Sequence, residues 1–173
     1  MENQELLQMK KNACKVRLYT IEGVFNAKSG HPGGSLSAAD IITYLYFKEM
    51  NVDPADPQKP DRDRFVLSKG HCCPALYGAL ALKGYFSGDE IKSLRHIGAM
   101  LQGHPDMKGT PGVDMSSGSL GQGISAACGM ALAESMTRQI TECMLCLATV
   151  NVKKVRCGRL LCLLLITSST TFA

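Results

Sequence analysis

Asp63-Arg64-Phe65-Val66-Leu67-Ser68-Lys69-Gly70-His71 is the stretch from which the fold class can be read. Phe65, Val66 and Leu67 form a short apolar run that predicts a buried strand, and Ser68 to His71 reads as the turn at its carboxyl end. Pro74 then suits the first turn of a helix carrying Leu76, Leu80 and Leu82. Upstream, apolar residues recur at Leu6, Met9, Ala13 and Val16 and at Leu7, Cys14, Leu18, Ile21 and Phe25, which predicts a long first helix with a broad apolar face. Residues 28–34 hold three glycines and a proline, so a loop must lie there. Ser35 or Ser37 is placed to cap the next helix, with Asp40 reaching back to Ser37 and with Ile41, Ile42 and Leu45 as its apolar side. Residues 51–63, with three prolines and four aspartates, read as exposed connection. Ser87 and Glu90 form a second capping box that opens a short helix ending before Gly98. Residues 103–123 are mostly glycine, proline, serine and aspartate, and so long an irregular segment in a compact domain is more often functional than idle. Another apolar helix follows through Ile124, Ala127, Cys128 and Leu132. Helices alternating with a short buried strand predict an α/β fold, with helices around a partial parallel sheet.

Composition narrows the function classes. A chain of 173 residues allows one ordinary domain, and 45% hydrophobic with 20% charged residues is the balance of a soluble globular protein. The net charge of +4 is uneven, because Lys153, Lys154, Arg156 and Arg159 lie in a segment from Leu145 to Ala173 that has no acid. That tail carries only Phe172 as an aromatic, so it lacks the interleaved basic and aromatic residues of a nucleic-acid binder. The eight cysteines show no framework spacing, and the acidic, polar start at Met1-Glu2-Asn3-Gln4-Glu5 is unlike a secretory signal, so a reducing cytoplasm is expected. The longest aliphatic run, Leu160 to Ile166, is far below the roughly 20 residues of a membrane-spanning helix. No membrane partner is expected.

Three of the four histidines sit beside glycine in loops: Ser29-Gly30-His31-Pro32-Gly33-Gly34, Ser68-Lys69-Gly70-His71 and Gln102-Gly103-His104-Pro105-Asp106. Glycine lets a backbone approach a ligand closely, while imidazole takes and gives protons near neutral pH. The pattern predicts a polar site for an anionic substrate. Three imidazoles can also bind zinc, although no closely spaced pair of ligands occurs here. His96, after Arg95, reads as a histidine at a helix end, favoured there by the helix dipole.

With these motifs in order, and with Gly118-Ser119-Leu120-Gly121-Gln122-Gly123 opening the last helix, the stretch from about Met9 to Ala133 resembles the amino-terminal part of transketolase. The resemblance implies a truncated thiamine diphosphate-binding fold over residues 1–133. It implies transfer of a two-carbon ketol unit from a ketose phosphate to an aldose phosphate, with thiamine diphosphate and a divalent cation, Mg or Ca, in the parent enzyme. Sugar phosphates are then the substrates, and the protein partner is a second copy in a homodimer or the carboxyl-terminal half of a split enzyme. By the same resemblance His31 lies near the donor oxygen, His71 beside the cofactor diphosphate, and His104 against the donor hydroxyls. Gly118 and Leu120 meet the aminopyrimidine through backbone groups, with Ser119 between them in the same site. An inactive truncated fragment and a histidine-ligated metal module are the alternatives.

The resemblance stops after Ala133. The family continues to a glycine-aspartate-glycine motif that holds the metal, and this sequence contains none, so no metal ligand is assigned. Cys143 and Cys146 make a lone pair, too weak for a redox or zinc site. The genetic code supplies a reason for the break. Ala148, Thr149, Val150 and Asn151 have codons beginning GC, AC, GT and AA, and with a permitted G before each they become GGC, GAC, GGT and GAA in the neighbouring frame. That reads Gly-Asp-Gly-Glu. From Val152 to Phe172 the same frame can read CEEGQVWEAAMFAAHYKLDNL, and from Ser135 to Leu147 KHDKADYRVYALL, both family-like. Residues 134–173 are therefore expected to be a frameshifted tail and no domain, packing poorly, with the shift near Leu132 to Ser135.

Overall fold

The computed structural model describes residues 3–137 and 143–146. Among the described residues, four α-helices and two strands follow one another as α1 (Asn3–Ala27), α2 (Pro32–Tyr44), β1 (Arg64–Leu67), α3 (Cys73–Lys83), α4 (Gly123–Thr137) and β2 (Cys143–Cys146). β1 and β2 pair in parallel, with Arg64 opposite Cys143 and Leu67 opposite Cys146. The α/β order expected from the sequence is present, and the sheet among the described residues is this single pair. Regular structure thus runs past Ala133, since α4 reaches Thr137 and β2 lies in the stretch read as shifted tail. The leucine run at 160–166 lies outside the described residues.

α3 is the centre of the core. It is apolar on every side, as a helix enclosed by others must be, and each residue from Cys73 to Leu80 is buried. It packs against α1 and α2, and its buried neighbours include Val16, Ile42, Tyr46, Phe65 and Leu67. Pro74 lies in the first turn, as predicted, and Gly84 closes the helix in the left-handed conformation, its amide donating to the carbonyls of Leu80 and Ala81.

Two helix starts differ from the sequence reading. α2 begins at Pro32, so Ser35 and Ser37 lie inside the helix and neither caps it. The pre-set φ of proline starts the helix, Ser35 Oγ and Ser37 Oγ donate back to the carbonyls of His31 and Gly34, and Asp40 pairs with Arg17 across to α1 at 2.5 Å. Ser87 does cap, accepting from the Asp89 amide at 3.3 Å, but the element it opens is a 3₁₀ helix, Gly88–Ser93. That helix ends before Arg95, so His96 is an exposed loop residue and not a helix-end histidine.

The irregular segment 103–123 lies along β1 and is fastened to both ends of the strand. Asp114 Oδ2 accepts the amide of Phe65 at 2.7 Å, and Ser117 Oγ donates to the carbonyl of Leu67 at 2.7 Å. Asp114 Oδ1 also pairs with Arg62 at 2.7 Å, and both side chains are under a tenth exposed. Arg62 Nε donates to the Pro57 carbonyl at 2.7 Å. Burial pushes the Asp114 carboxyl up, against the pull of the Phe65 amide and the Arg62 charge. Removing either partner would leave a buried charge uncompensated.

Candidate functional site

The carboxyl end of β1 leads through Ser68 and Lys69 into a single 3₁₀ turn, Gly70–Cys72, which carries His71. Glycine is required at 70 by close approach, since a Cβ there would stand 2.8 Å from the carbonyl oxygen of Ser117. Lys69 is buried, and its Nζ donates to the Gly34 carbonyl at 2.9 Å and to Ser37 Oγ at 3.3 Å. This lysine ties the end of β1 to the loop and helix start that carry His31. The His31 and His71 rings meet edge to face, with centroids 4.9 Å apart and planes at 68°.

His104 comes from the third loop. α3 holds that loop by its backbone: Tyr77 Oη lies 2.9 Å from the His104 carbonyl and 3.0 Å from that of Gln102, and Cys73 Sγ donates to the Gly103 carbonyl at 3.2 Å. Burial pushes the Cys73 thiol up to about 12 and the Tyr77 phenol up as well, so both remain protonated donors. The His104 ring lies against Gly118, where an added Cβ would be 3.4 Å from Cδ2. Asp106 is occupied within its own loop, accepting from the Lys108 amide and from Ser116 Oγ, both at 3.1 Å.

Three loops far apart in sequence thus bring His31, His71 and His104 together at the carboxyl end of β1, with Gly118 beside them. Ser119 and Leu120 continue from Gly118 toward α4, where the Ser119 carbonyl accepts the Gln122 amide at 3.2 Å. His31 and His104 are exposed and His71 is half-buried. Burial lowers the His71 imidazole below its ordinary value, helped by His31, His104 and Lys69. His104 is exposed over much of its surface, but the part of its ring that lies against Gly118 is shielded from water, and this partial desolvation, followed by the charge of Arg95 and by His31, lowers it as well. Both rings are therefore neutral at pH 7, each with one nitrogen to donate and one to accept, which is the state that transfers protons.

The site is cationic around these imidazoles, through Lys69 and Arg95. The hydrogen bonds of Lys69 and Arg95 go to protein acceptors, so what suits a diphosphate here is their positive charge together with the imidazoles, and Gly33, with nothing within 4 Å of a would-be Cβ, leaves open space at the His31 loop. The site does not fit a metal: among the described residues no group of three His, Cys, Asp or Glu could hold one. The zinc reading of the three histidines loses its footing here. Sequence reasoning passed over Arg95, Tyr77, Cys73 and Asp114. Lys69 stood within the strand-and-turn motif without a role.

Residues 8–142 match the family model described as transketolase, thiamine diphosphate binding domain. The chain belongs to the transketolase family. It is 49% identical over 134 residues to the 6-deoxy-6-sulfo-D-fructose transketolase subunit SqwG of Clostridium sp. (strain MSTE9), covering 78% of this chain and 49% of that protein. It is 42% identical over 134 residues to an apulose-4-phosphate transketolase subunit of Phocaeicola vulgatus, again 78% of this chain and 47% of that one. Human transketolase is 44% identical over 130 residues, which is 75% of this chain and 21% of the enzyme. Among solved structures, transketolase from Leishmania mexicana superposes with a TM-score of 0.86 at 32% identity, covering 90% of this chain and 25% of that one. The chain therefore spans about half the length of the transketolase subunits it matches. Among the described residues no helix is long and apolar enough to cross a membrane.

Proposed function

We propose that this chain is the amino-terminal part of an enzyme that moves a two-carbon ketol unit from a ketose phosphate to an aldose phosphate in the cytoplasm. The observation that carries the proposal is the meeting of His31, His71 and His104, from three separate loops, beside Gly118. Thiamine diphosphate, when bound, supplies the electron sink for making and breaking the carbon–carbon bond. His71 and the backbone of Gly118, Ser119 and Leu120 would hold the cofactor. His31 gives a proton to the donor oxygen as charge develops there, and His104 holds the donor hydroxyls and relays their protons. The complete site needs a second polypeptide surface carrying the pyrimidine half, from a second copy or from a separate partner chain. The relatives named as subunits support the latter.

The residues after about Ala133 belong, in this proposal, to a shifted reading frame. The divalent cation of the parent enzyme is then held by the glycine-aspartate-glycine of the other frame and not by any residue of this chain. Losing those ligands removes the charge neutralisation of a bound diphosphate, which three imidazoles replace weakly.

The 173-residue chain is expected to show no transketolase turnover and little magnesium-dependent uptake of thiamine diphosphate by calorimetry. Restoring the frame and supplying the partner domains should recover both. The nucleotides across the codons of Gly129 to Thr149 should show the open frame running into glycine-aspartate-glycine. Strong metal-dependent cofactor binding by the chain as it stands would overturn the frame proposal.

A further inference from the structure

Arg95 lies outside the histidine motifs, yet it touches two of the histidine loops. Its Nη1 donates to Ser29 Oγ at 2.9 Å, two residues before His31, and its Nη2 makes a longer contact of 3.4 Å with the Gly103 carbonyl, one residue before His104. Its backbone is in the left-handed region, φ 63°, which few residues other than glycine adopt, and its amide is fixed by the Leu101 carbonyl at 2.8 Å. The turn holds the guanidinium over Gly103: a Cβ at 103 would stand 2.8 Å from Arg95 Cζ and Nε. Gly103 is absent from the glycines with positive φ, so its backbone conformation does not demand glycine. The guanidinium fills the space a Cβ would take, and as the end of a flexible side chain it would be the group to move aside.

We propose that Arg95 is a positioning residue that ties the loop of His31 to the loop of His104, and that residue 103 is glycine to admit the guanidinium between them. The inference rests on the reading of these two histidines as site residues, but its test does not depend on turnover. A guanidinium can bridge two acceptors at fixed spacing, whereas the ammonium of lysine is a point charge on a flexible stem. Its charge also contributes to the lowered His104 imidazole.

The test uses imidazole resonances of the full 173-residue chain by NMR. The edge-to-face contact of His31 and His71 displaces their ring protons, and this displacement reports the placement of the His31 loop. Arg95→Gln should reduce the displacement, which Lys69 still supports from the other side of the His31 loop, and raise the His104 titration midpoint. Arg95→Lys should reduce the displacement while keeping the His104 midpoint low. Ser29→Ala removes the acceptor on one loop, and Gly103→Ala expels the movable guanidinium from the other. Both should reproduce the reduced displacement with the melting temperature unchanged. If Ser29→Ala and Gly103→Ala leave the ring resonances unmoved, the proposal fails, whatever the Arg95 variants do. It fails equally if the resonances move only together with a loss of melting temperature, because Arg95 is then an ordinary structural residue. An inactive frame-restored enzyme with these shifts intact would count against the proposed function alone.

Discussion

α3 and the three histidine loops lie side by side and are built on opposite plans. From Cys73 to Leu80 every side chain of α3 is enclosed, and the helix is held by packing. In the loops the anchors are backbone carbonyls, namely those of Gly34, Gln102, Gly103 and His104, taken by Lys69, Tyr77 and Cys73. The imidazoles of His31 and His104 are left exposed. The difference teaches that stability and chemistry draw on separate parts of the same residues. A loop can be fixed through its main chain while its side chain stays available to a ligand.

The comparison predicts a graded set of effects. Leu80→Ala, at a side chain with no exposed surface, should destabilise the chain by about 2–5 kcal/mol in urea unfolding, through lost transfer energy and a residual cavity. A loss below about 1 kcal/mol would mean that α3 is less enclosed than its packing indicates.

The pH response tests the loops next. His71 and His104 both lie below the ordinary histidine value of 6.5 in the folded chain. The unfolded chain therefore binds more protons in the window below about 6.5, so their contribution to stability is complete above that pH. It is lost as the pH falls through the lowered folded values. The urea midpoint should fall on acidification from about pH 7 to about pH 5.5, and a His71→Asn, His104→Asn variant should fall less. An equal fall in both proteins would show that these rings do not sense burial.

The smallest effect belongs to His104→Ala. Its ring is exposed and its loop is held by the carbonyl, so the urea midpoint should move by no more than about 0.5 kcal/mol equivalent. In the frame-restored, fully assembled enzyme the same change should depress turnover far more than stability. A large loss of stability would place the imidazole among the structural anchors.

Much of this arrangement is legible from short stretches. Phe65-Val66-Leu67 falls within β1, Pro74 opens α3, and the histidine-glycine loops lie where the breakers place them, because each of these is decided by neighbours in sequence. The long first helix is also present, but its broad apolar face is only partly used. Ala13 and Val16 are buried, whereas Leu18, Ile21 and Phe25 are exposed, Phe25 at 78%. Periodicity of about 3.6 residues says that a helix has an apolar side without saying which part of that side finds a partner. The same holds for Asp40, whose spacing from Ser37 fits a capping box but whose carboxylate pairs with Arg17, 23 residues away in the chain.

By itself the sequence determined the order of strand and helices, the three histidine loops, and the family to which the chain belongs. These depend on propensities, breakers and motif spacing, all short-range properties. Only the tertiary structure decided that Asp114 and Ser117 fasten the long loop to the two ends of β1, that Tyr77 and Cys73 hold the backbone around His104, and that Arg95 spans two loops from a left-handed turn. Each of these is a choice among competing hydrogen-bond partners distant in sequence. That competition is settled by which donors and acceptors the packed core brings within reach and withdraws from water.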